Sequence, residues 1–500
     1  MTRPAPPLRT DRESEDFHAL MAAQLRSAPW LLLSAALHAA LLVALWLLLP
    51  AEARPEQRVA VTFAAAPEPP PLPPEPPPLP PPVPQEPTDL QFVELDPVEV
   101  DAVSELDSLE AFTPLPSSVE SAFDSNMHNT AIGIAGGAAG PGGGGPHGRR
   151  RGGGGAFQPQ VRAALDWLVR HQDEDGRWDC DGFMKHDRDG AACDGAGSAV
   201  HDVGVTGLAL LAFLGEGTTL RQGEYREPLR KGVQWLLDQQ DDSGRFGGAA
   251  ASDFVYDHAI AAYAIGEACG LSEYRVLRAP AERAYAYLAA HRNPYGAWRY
   301  QPRDGDSDTS VTGWCTLALA SGKSLGLTVD DAAVRSGMAF LESCTDAQGR
   351  TGYTSPGELS SRRPGDHGAR FPPERGEALT AVALFCRWFT GQDPREVPAM
   401  QHGIELLQRR PPVHDPAAGS VDHYYWYYGT YAMYQAGGKP WREWSKKLGP
   451  AVVATQRTDG NFAGSWDPAG VWGEDGGRVY STAILALTLQ VHYRYGRLVR

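Results

Sequence analysis

The sequence predicts an all-α fold, an (α/α)6 toroid of six helix pairs over residues 157–500. Two observations predict it. A unit of helix, glutamine, acidic turn, glycine and aromatic residue recurs, as in "ALDWLVRHQDEDGRW", "GVQWLLDQQDDSGRF", "AYAYLAAHRNPYGAW", "GMAFLESCTDAQGRTGY" and "VVATQRTDGNF". A second helix that is apolar nearly all round follows each unit, for example "VTGLALLAFLG" and "VTGWCTLALASG". A recurring unit of this length is the mark of a repeat architecture. Helices apolar on every side have to be buried, whereas the charged, amphipathic ones face water on one side. Six buried helices ringed by six amphipathic ones give a closed barrel, and 344 residues suffice for its core.

The elements before the toroid follow from composition. Residues 1–28 carry Arg3, Arg9, Arg12 and Arg26 and form a cytoplasmic tail. Residues 29–50, "PWLLLSAALHAALLVALWLLLP", hold an apolar run from Trp30 to Leu49. As a helix it is about 30 Å long, enough for one transmembrane span. The arginine bias places the N-terminus in the cytoplasm and the toroid in the periplasm, on the far side of the inner membrane. Residues 51–156 are a disordered linker in three parts: a proline-rich rod, an acidic stretch and a glycine tract. The rod at 67–87 favours polyproline II and would reach about 65 Å. From 59 to 148 there is no Lys or Arg, and thirteen Asp and Glu fall there. Most of the formal charge of −16 therefore belongs to the linker and says little about the toroid's partners. The glycine tract "IGIAGGAAGPGGGGPHGRRRGGGG" lacks the Gly-Lys-Ser/Thr of a phosphate loop and reads as a hinge. Nothing points to nucleic acid.

Ser34 and His38 lie four apart on one face of the span. An ionisable ring within a span faces a partner or a wet cavity. The pair, the "VTF" segment after the span and the proline rod resemble the N-terminal anchor of TonB-type energy transducers. That resemblance covers about residues 25–90. It implies that Ser34 and His38 dock on an ExbB/ExbD-like proton-channel partner. It does not extend to a TonB-type C-terminal domain.

In the toroid, Gln172/Gly176/Trp178, Gln240/Gly244/Phe246 and Gln456/Gly460/Phe462 carry the repeat most clearly, and Arg292 and Thr345 replace the glutamine in two other copies. The pattern resembles the QW repeat of the terpenoid cyclase and protein prenyltransferase superfamily. The ending looks closest to bacterial prenyltransferase/squalene-oxidase-repeat proteins. Acids cluster where inner helices begin, at Asp202, Asp257, Asp306, Asp308 and Asp422. Capping is their ordinary role. In a toroid the same positions also ring one mouth, with His258, Trp314, His423, Tyr424 and Trp426 nearby, which makes a candidate pocket for an apolar or lipid ligand.

The resemblance implies two chemistries, and the residues match neither. A cyclase of the squalene–hopene type needs Asp-x-Asp-Asp, but the segment here is Asp306-Ser307-Asp308-Thr309. Zinc in prenyltransferases needs Asp-x-Cys and a distant His, whereas Asp308 is followed by Ser310, and Tyr425 stands at the His position. The expectation is therefore no cofactor, no metal site and no catalytic residue, and a binding or coupling module. The alternative is an enzyme acting on an isoprenoid or other apolar ligand. In an oxidising compartment Cys180 and Cys193, thirteen apart, are expected to form a disulfide, and the other four cysteines to be buried thiols.

Overall fold

The computed structural model describes His38 and residues 157–491, except 249, 250 and 295. The span, rod and spacer expected over 29–156 lie outside the described residues, apart from His38, which is helical and exposed. Among the described residues there are twelve helices of eleven residues or more and no extended strand. They are α1 (Gln158–Arg170), α2 (Asp202–Glu216), α3 (Arg226–Asp238), α4 (Val255–Ser272), α5 (Arg278–His291), α6 (Thr309–Ser324), α7 (Asp331–Ser343), α8 (Ala378–Phe389), α9 (Pro398–Gln408), α10 (His423–Ala436), α11 (Gly438–Ala451) and α12 (Gly473–Leu489).

The even-numbered helices form a closed ring. Each packs on the next, from α2 through α4, α6, α8 and α10 to α12, and α12 packs back on α2. The odd-numbered helices lie outside: α3 bridges α2 and α4, α5 bridges α4 and α6, and α1 bridges α12 and α2. This is the (α/α)6 toroid, and burial follows the sequence pattern. In α8 every residue from Ala378 to Phe389 is buried, while in α3 only five are. Ala199–Glu216 is long and apolar enough to cross a membrane by composition alone, but it is mostly buried and belongs to the inner ring.

The repeat turn holds the ring together. Gln172 Nε2 donates to the carbonyl of Gly176 in its own turn (2.8 Å) and to that of Pro228 in the next outer helix (2.9 Å). Gln240 does the same with Gly244 and Pro280. Gln456 closes the circle, donating to Gly464 (2.9 Å) and to Gln160 of α1 (2.8 Å). The turn aromatic then locks the inner helix. Trp178 N–H donates to Thr206 Oγ1 and its indole to Leu168 O. Trp298 and Trp466 repeat the arrangement with Thr312 and Thr482.

The last copy corrects the sequence alignment by four residues. The glycine and aromatic that do the work are Gly464 and Trp466, not Gly460 and Phe462. Gly464 has φ +100°, and a Cβ there would collide with the carbonyl of Ala163 in α1. Gly176 and Gly244 likewise have positive φ and press on the carbonyls of Lys231 and Arg283 in the next outer helix. Gly460 has open space around it. In the full chain, Gly464→Ala is therefore expected to lower unfolding free energy by at least about 2 kcal/mol. Gly460→Ala, strained but uncrowded, should cost clearly less. Denaturant titrations in detergent compare the two, and equal losses would contradict the corrected register.

Candidate functional site

The first turns of all six inner helices line one cavity of about 530 Å³. Gly204 and Val205 come from α2, Tyr256 and Asp257 from α4, Ser310 and Trp314 from α6, Ala378 and Leu379 from α8, Tyr424 from α10, and Tyr480 from α12. The inner helices therefore run parallel, with their N-termini at the mouth. The loop between α7 and α8 adds Tyr353, Arg362 and Arg363 to the wall. One to two turns further along the helices the barrel is filled. Trp314 stacks on Tyr427 with centroids 6.0 Å apart, and Phe385 meets Tyr428 at 5.7 Å and Tyr431 at 5.3 Å.

Of the candidate residues, Asp257, Trp314, Asp422 and Tyr424 line this cavity. The others serve the fold. His258 takes the place of the threonine in its repeat: its Nδ1 accepts from Phe246 N–H (3.0 Å) and its Nε2 lies 3.2 Å from Ala284 O. Burial pushes its pKa down to about 3, so it stays neutral. His423 and Trp426 are buried in the core and touch each other, and burial lowers His423 to about 3 as well. Asp306 is exposed and pairs with Arg299. Asp202 lies outside the cavity, accepting from Cys180 N–H (2.8 Å) and pairing with Arg177 (3.0 Å).

Asp308, at the centre of the cyclase-like segment, is fully buried and caps α6. Its Oδ1 accepts from Val311 N–H (2.8 Å) and Ser310 Oγ (3.2 Å), and its Oδ2 from Tyr353 Oη (3.1 Å). Burial raises its pKa to about 6 against those hydrogen bonds. It does not line the cavity, although Ser310 and Tyr353 do.

The mouth acids are matched by cations that the sequence reading left out. His201 Nδ1 lies 3.0 Å from Asp257, Arg362 lies 3.8 Å from Asp422, and Arg363 lies 3.1 Å from Asp475. Arg299 follows a turn aromatic and reaches Asp308 at 3.7 Å. Arg177 and Arg350, each directly after a turn glycine, pair with Asp202 and Glu377. The third copy has Ala297 at that position, so the repeat register does not mark Arg299. Arg362 and Arg363 stand in the loop at 352–377, which has no periodicity to reveal them. The ring of acids is thus a ring of ion pairs, with little net charge around an apolar hollow. Two tyrosines of the wall keep unpaired hydroxyls. Tyr424 Oη and Tyr480 Oη are buried and have no hydrogen-bond partner among the described residues. Burial raises both well above the usual tyrosine range, so both remain donors.

The expected disulfide is not formed: Cys180 and Cys193 are separate thiols. Cys180 is turned towards the start of α12, donating to the carbonyls of Asp475 and Gly476 at 3.4 Å. Cys193 lies instead with His171 and Asp187. Each thiol is thus engaged with a different neighbour rather than with the other. The other four cysteines are buried thiols, as expected.

No family model matches the chain, and no curated protein matches it. Solved structures similar to it include the type II terpene cyclase MstE from Scytonema (15% identity, TM-score 0.44), covering 67% of this chain and 97% of that one. Cellobiose 2-epimerase from Bacillus thermoamylovorans is similar at 14% identity and TM-score 0.47, with the same coverage. An α-1,6-mannanase of Salegentibacter sp. has 7% identity and TM-score 0.46, over 67% of this chain and 98% of that one. These distant likenesses carry no weight on activity, and the toroid rests on its own closed ring of helices.

The His201–Asp257 pair gives a pH test. Burial works against the imidazolium, but the hydrogen bond and charge of Asp257 outweigh it and raise His201 to about 9. An unfolded histidine titrates near 6.5. Burial raises Asp257 as well, so the pair's net worth is smaller than the histidine's shift alone implies. The histidine's contribution is present below about pH 6.5 and lost as pH rises through about 9. Wild type is expected to lose stability over that window, and His201→Gln should be flatter there. Parallel pH–stability curves would remove the charged pair.

Proposed function

We propose that the toroid is a non-catalytic binding or coupling module whose mouth cavity takes an apolar or lipid-like ligand bearing a hydrogen-bond-accepting group. The observation that carries this reading is the fate of Asp308. The carboxyl that a cyclase would use to protonate its substrate is sealed from the cavity and spends its oxygens on a helix cap and two hydroxyls. The cavity itself has the size of a small-molecule pocket. Its wall is mostly aliphatic and aromatic, and it includes Tyr424 and Tyr480, whose buried hydroxyls have no hydrogen-bond partner among the described residues. Six helix N-termini at the mouth also favour an electron-rich group there.

In this reading the chain is anchored in the inner membrane by residues 29–50, with the N-terminus in the cytoplasm and the toroid in the periplasm at the end of the proline-rich linker. Ser34 and His38 couple it to an ExbB/ExbD-like proton-channel partner, so that ligand capture outside is linked to energy in the membrane. One observation favours the second reading, an enzyme acting on an isoprenoid or other apolar ligand. Asp308, raised to about 6 by burial, is joined by hydrogen bonds to Ser310 and Tyr353, which do face the cavity.

Binding separates these readings. The full chain in detergent, titrated with a long-chain isoprenoid alcohol and followed by tryptophan fluorescence, should saturate without consuming the probe. Tyr424→Phe and Tyr480→Phe should each weaken the alcohol by up to about tenfold and leave the matching hydrocarbon unaffected. Conversion of the probe that disappears in Asp308→Asn would favour the enzyme instead.

The anchor is tested in the membrane. A reporter fused after Arg500 should be active only in the periplasm. His38→Leu and Ser34→Leu should each abolish crosslinking to a co-purifying multi-span protein, and the double variant should be little worse, because residues of one interface couple. Crosslinking by His38→Leu equal to wild type would remove the coupling half of the reading and leave the binding half standing.

A further inference from the structure

The connection from α1 to α2 gathers three side chains that sequence spacing does not mark as a set. His171 Nε or Nδ nitrogen, a carboxylate oxygen of Asp187 and the Cys193 sulfur all lie within 4.8 Å of one another. His171 is 1% exposed and Cys193 5%, and the Asp187 side chain is 7% exposed. None of the three lines the mouth cavity.

The imidazole is held in one orientation. Its ring stacks on Trp167 with centroids 4.0 Å apart and meets the edge of Phe183 at 6.0 Å. Its Nδ1 lies 2.8 Å from Trp167 O, and a carbonyl can only accept, so Nδ1 carries the hydrogen. In the neutral ring Nε2 is then a lone pair, and it faces Asp187 Oδ1 at 3.1 Å. Two acceptors at that distance need a proton or a cation between them. The carboxylate is fixed in turn, because its Oδ2 accepts the backbone N–H of Cys193.

We propose that His171, Asp187 and Cys193 bind a zinc ion that clips the α1–α2 loop to the end of α1. A nitrogen, an oxygen and a thiolate sulfur suit zinc and do not suit calcium or magnesium, which take oxygen ligands. A zinc-ligating histidine typically gives its other N–H to a backbone carbonyl, as His171 does. Water fills the fourth tetrahedral position. The site is separate from the segment at Asp308, Ser310 and Tyr425, where ligands for zinc are lacking.

The test uses the full chain in detergent, stripped with a chelator and then given zinc or cobalt. It should retain one zinc per chain through gel filtration and melt at a higher temperature with the metal than without. Cobalt should give a thiolate-to-metal charge-transfer band and the intense visible bands of a tetrahedral site. Cys193→Ser should lose the charge-transfer band and weaken zinc by at least about tenfold, while Cys180→Ser keeps both. A chain that retains no zinc, or a cobalt spectrum without a thiolate band, overturns the proposal and leaves an imidazolium–carboxylate pair at this place. A thiolate band that survives in Cys193→Ser but vanishes in Cys180→Ser overturns it too. If Cys193→Ser does not fold, the wild-type cobalt spectrum and zinc content still decide. None of these readouts depends on the mouth cavity, so the binding reading stands or falls separately.

Discussion

The turn glutamine's two hydrogen bonds are the constraint on which the rest depends. One ties the turn to itself and the other ties it to the next outer helix. A helix pair has two neighbours and cannot bury its apolar helix alone, so each clasp fixes the position of the following pair. The last clasp, from Gln456 to Gln160, joins the end of the toroid to its beginning. The glycines are part of the same device. Their left-handed backbone and missing Cβ let the turn press against the neighbouring helix carbonyl.

Closing the ring has a chemical consequence at one end. Six parallel helices bring six sets of unpaired N–H groups to a single mouth. Asp308 and Asp422 satisfy part of that demand as caps. Burying the acids requires cations beside them, because an unpaired carboxylate in a low-dielectric wall is costly. His201, Arg299, Arg362 and Arg363 meet that requirement. What is left for a ligand is an apolar hollow whose wall includes Tyr424 and Tyr480, above a floor sealed by aromatic rings.

Much of this was legible in the sequence. The repeat gave the helix pairs, because periodicity and all-round apolarity report burial directly, as α8 and α3 illustrate. It also marked Asp257, Trp314, Asp422 and Tyr424 as facing the mouth. It misled at His258, which substitutes for a threonine inside the core, and at Gly460, which copies the turn pattern four residues before the turn that packs. Both errors have one cause: a residue's place in a repeat gives its position along the helix, not which neighbour its side chain meets.

The sequence by itself determined an all-α repeat fold, the number of helix pairs and the end of the barrel where the acids gather, because these depend on local periodicity and on where helices begin. Only the tertiary structure decided the partners. Cys180 and Cys193 are close along the chain but are drawn to α12 and to His171, and Arg362 and Arg363 reach the mouth from a loop without any pattern. Asp308, which the sequence places at the start of an inner helix as a cap or a mouth residue, is a sealed cap that does not line the cavity. Such pairings arise from contacts between residues far apart in sequence, or from side-chain directions within an irregular loop, and neither leaves a periodic trace in the chain.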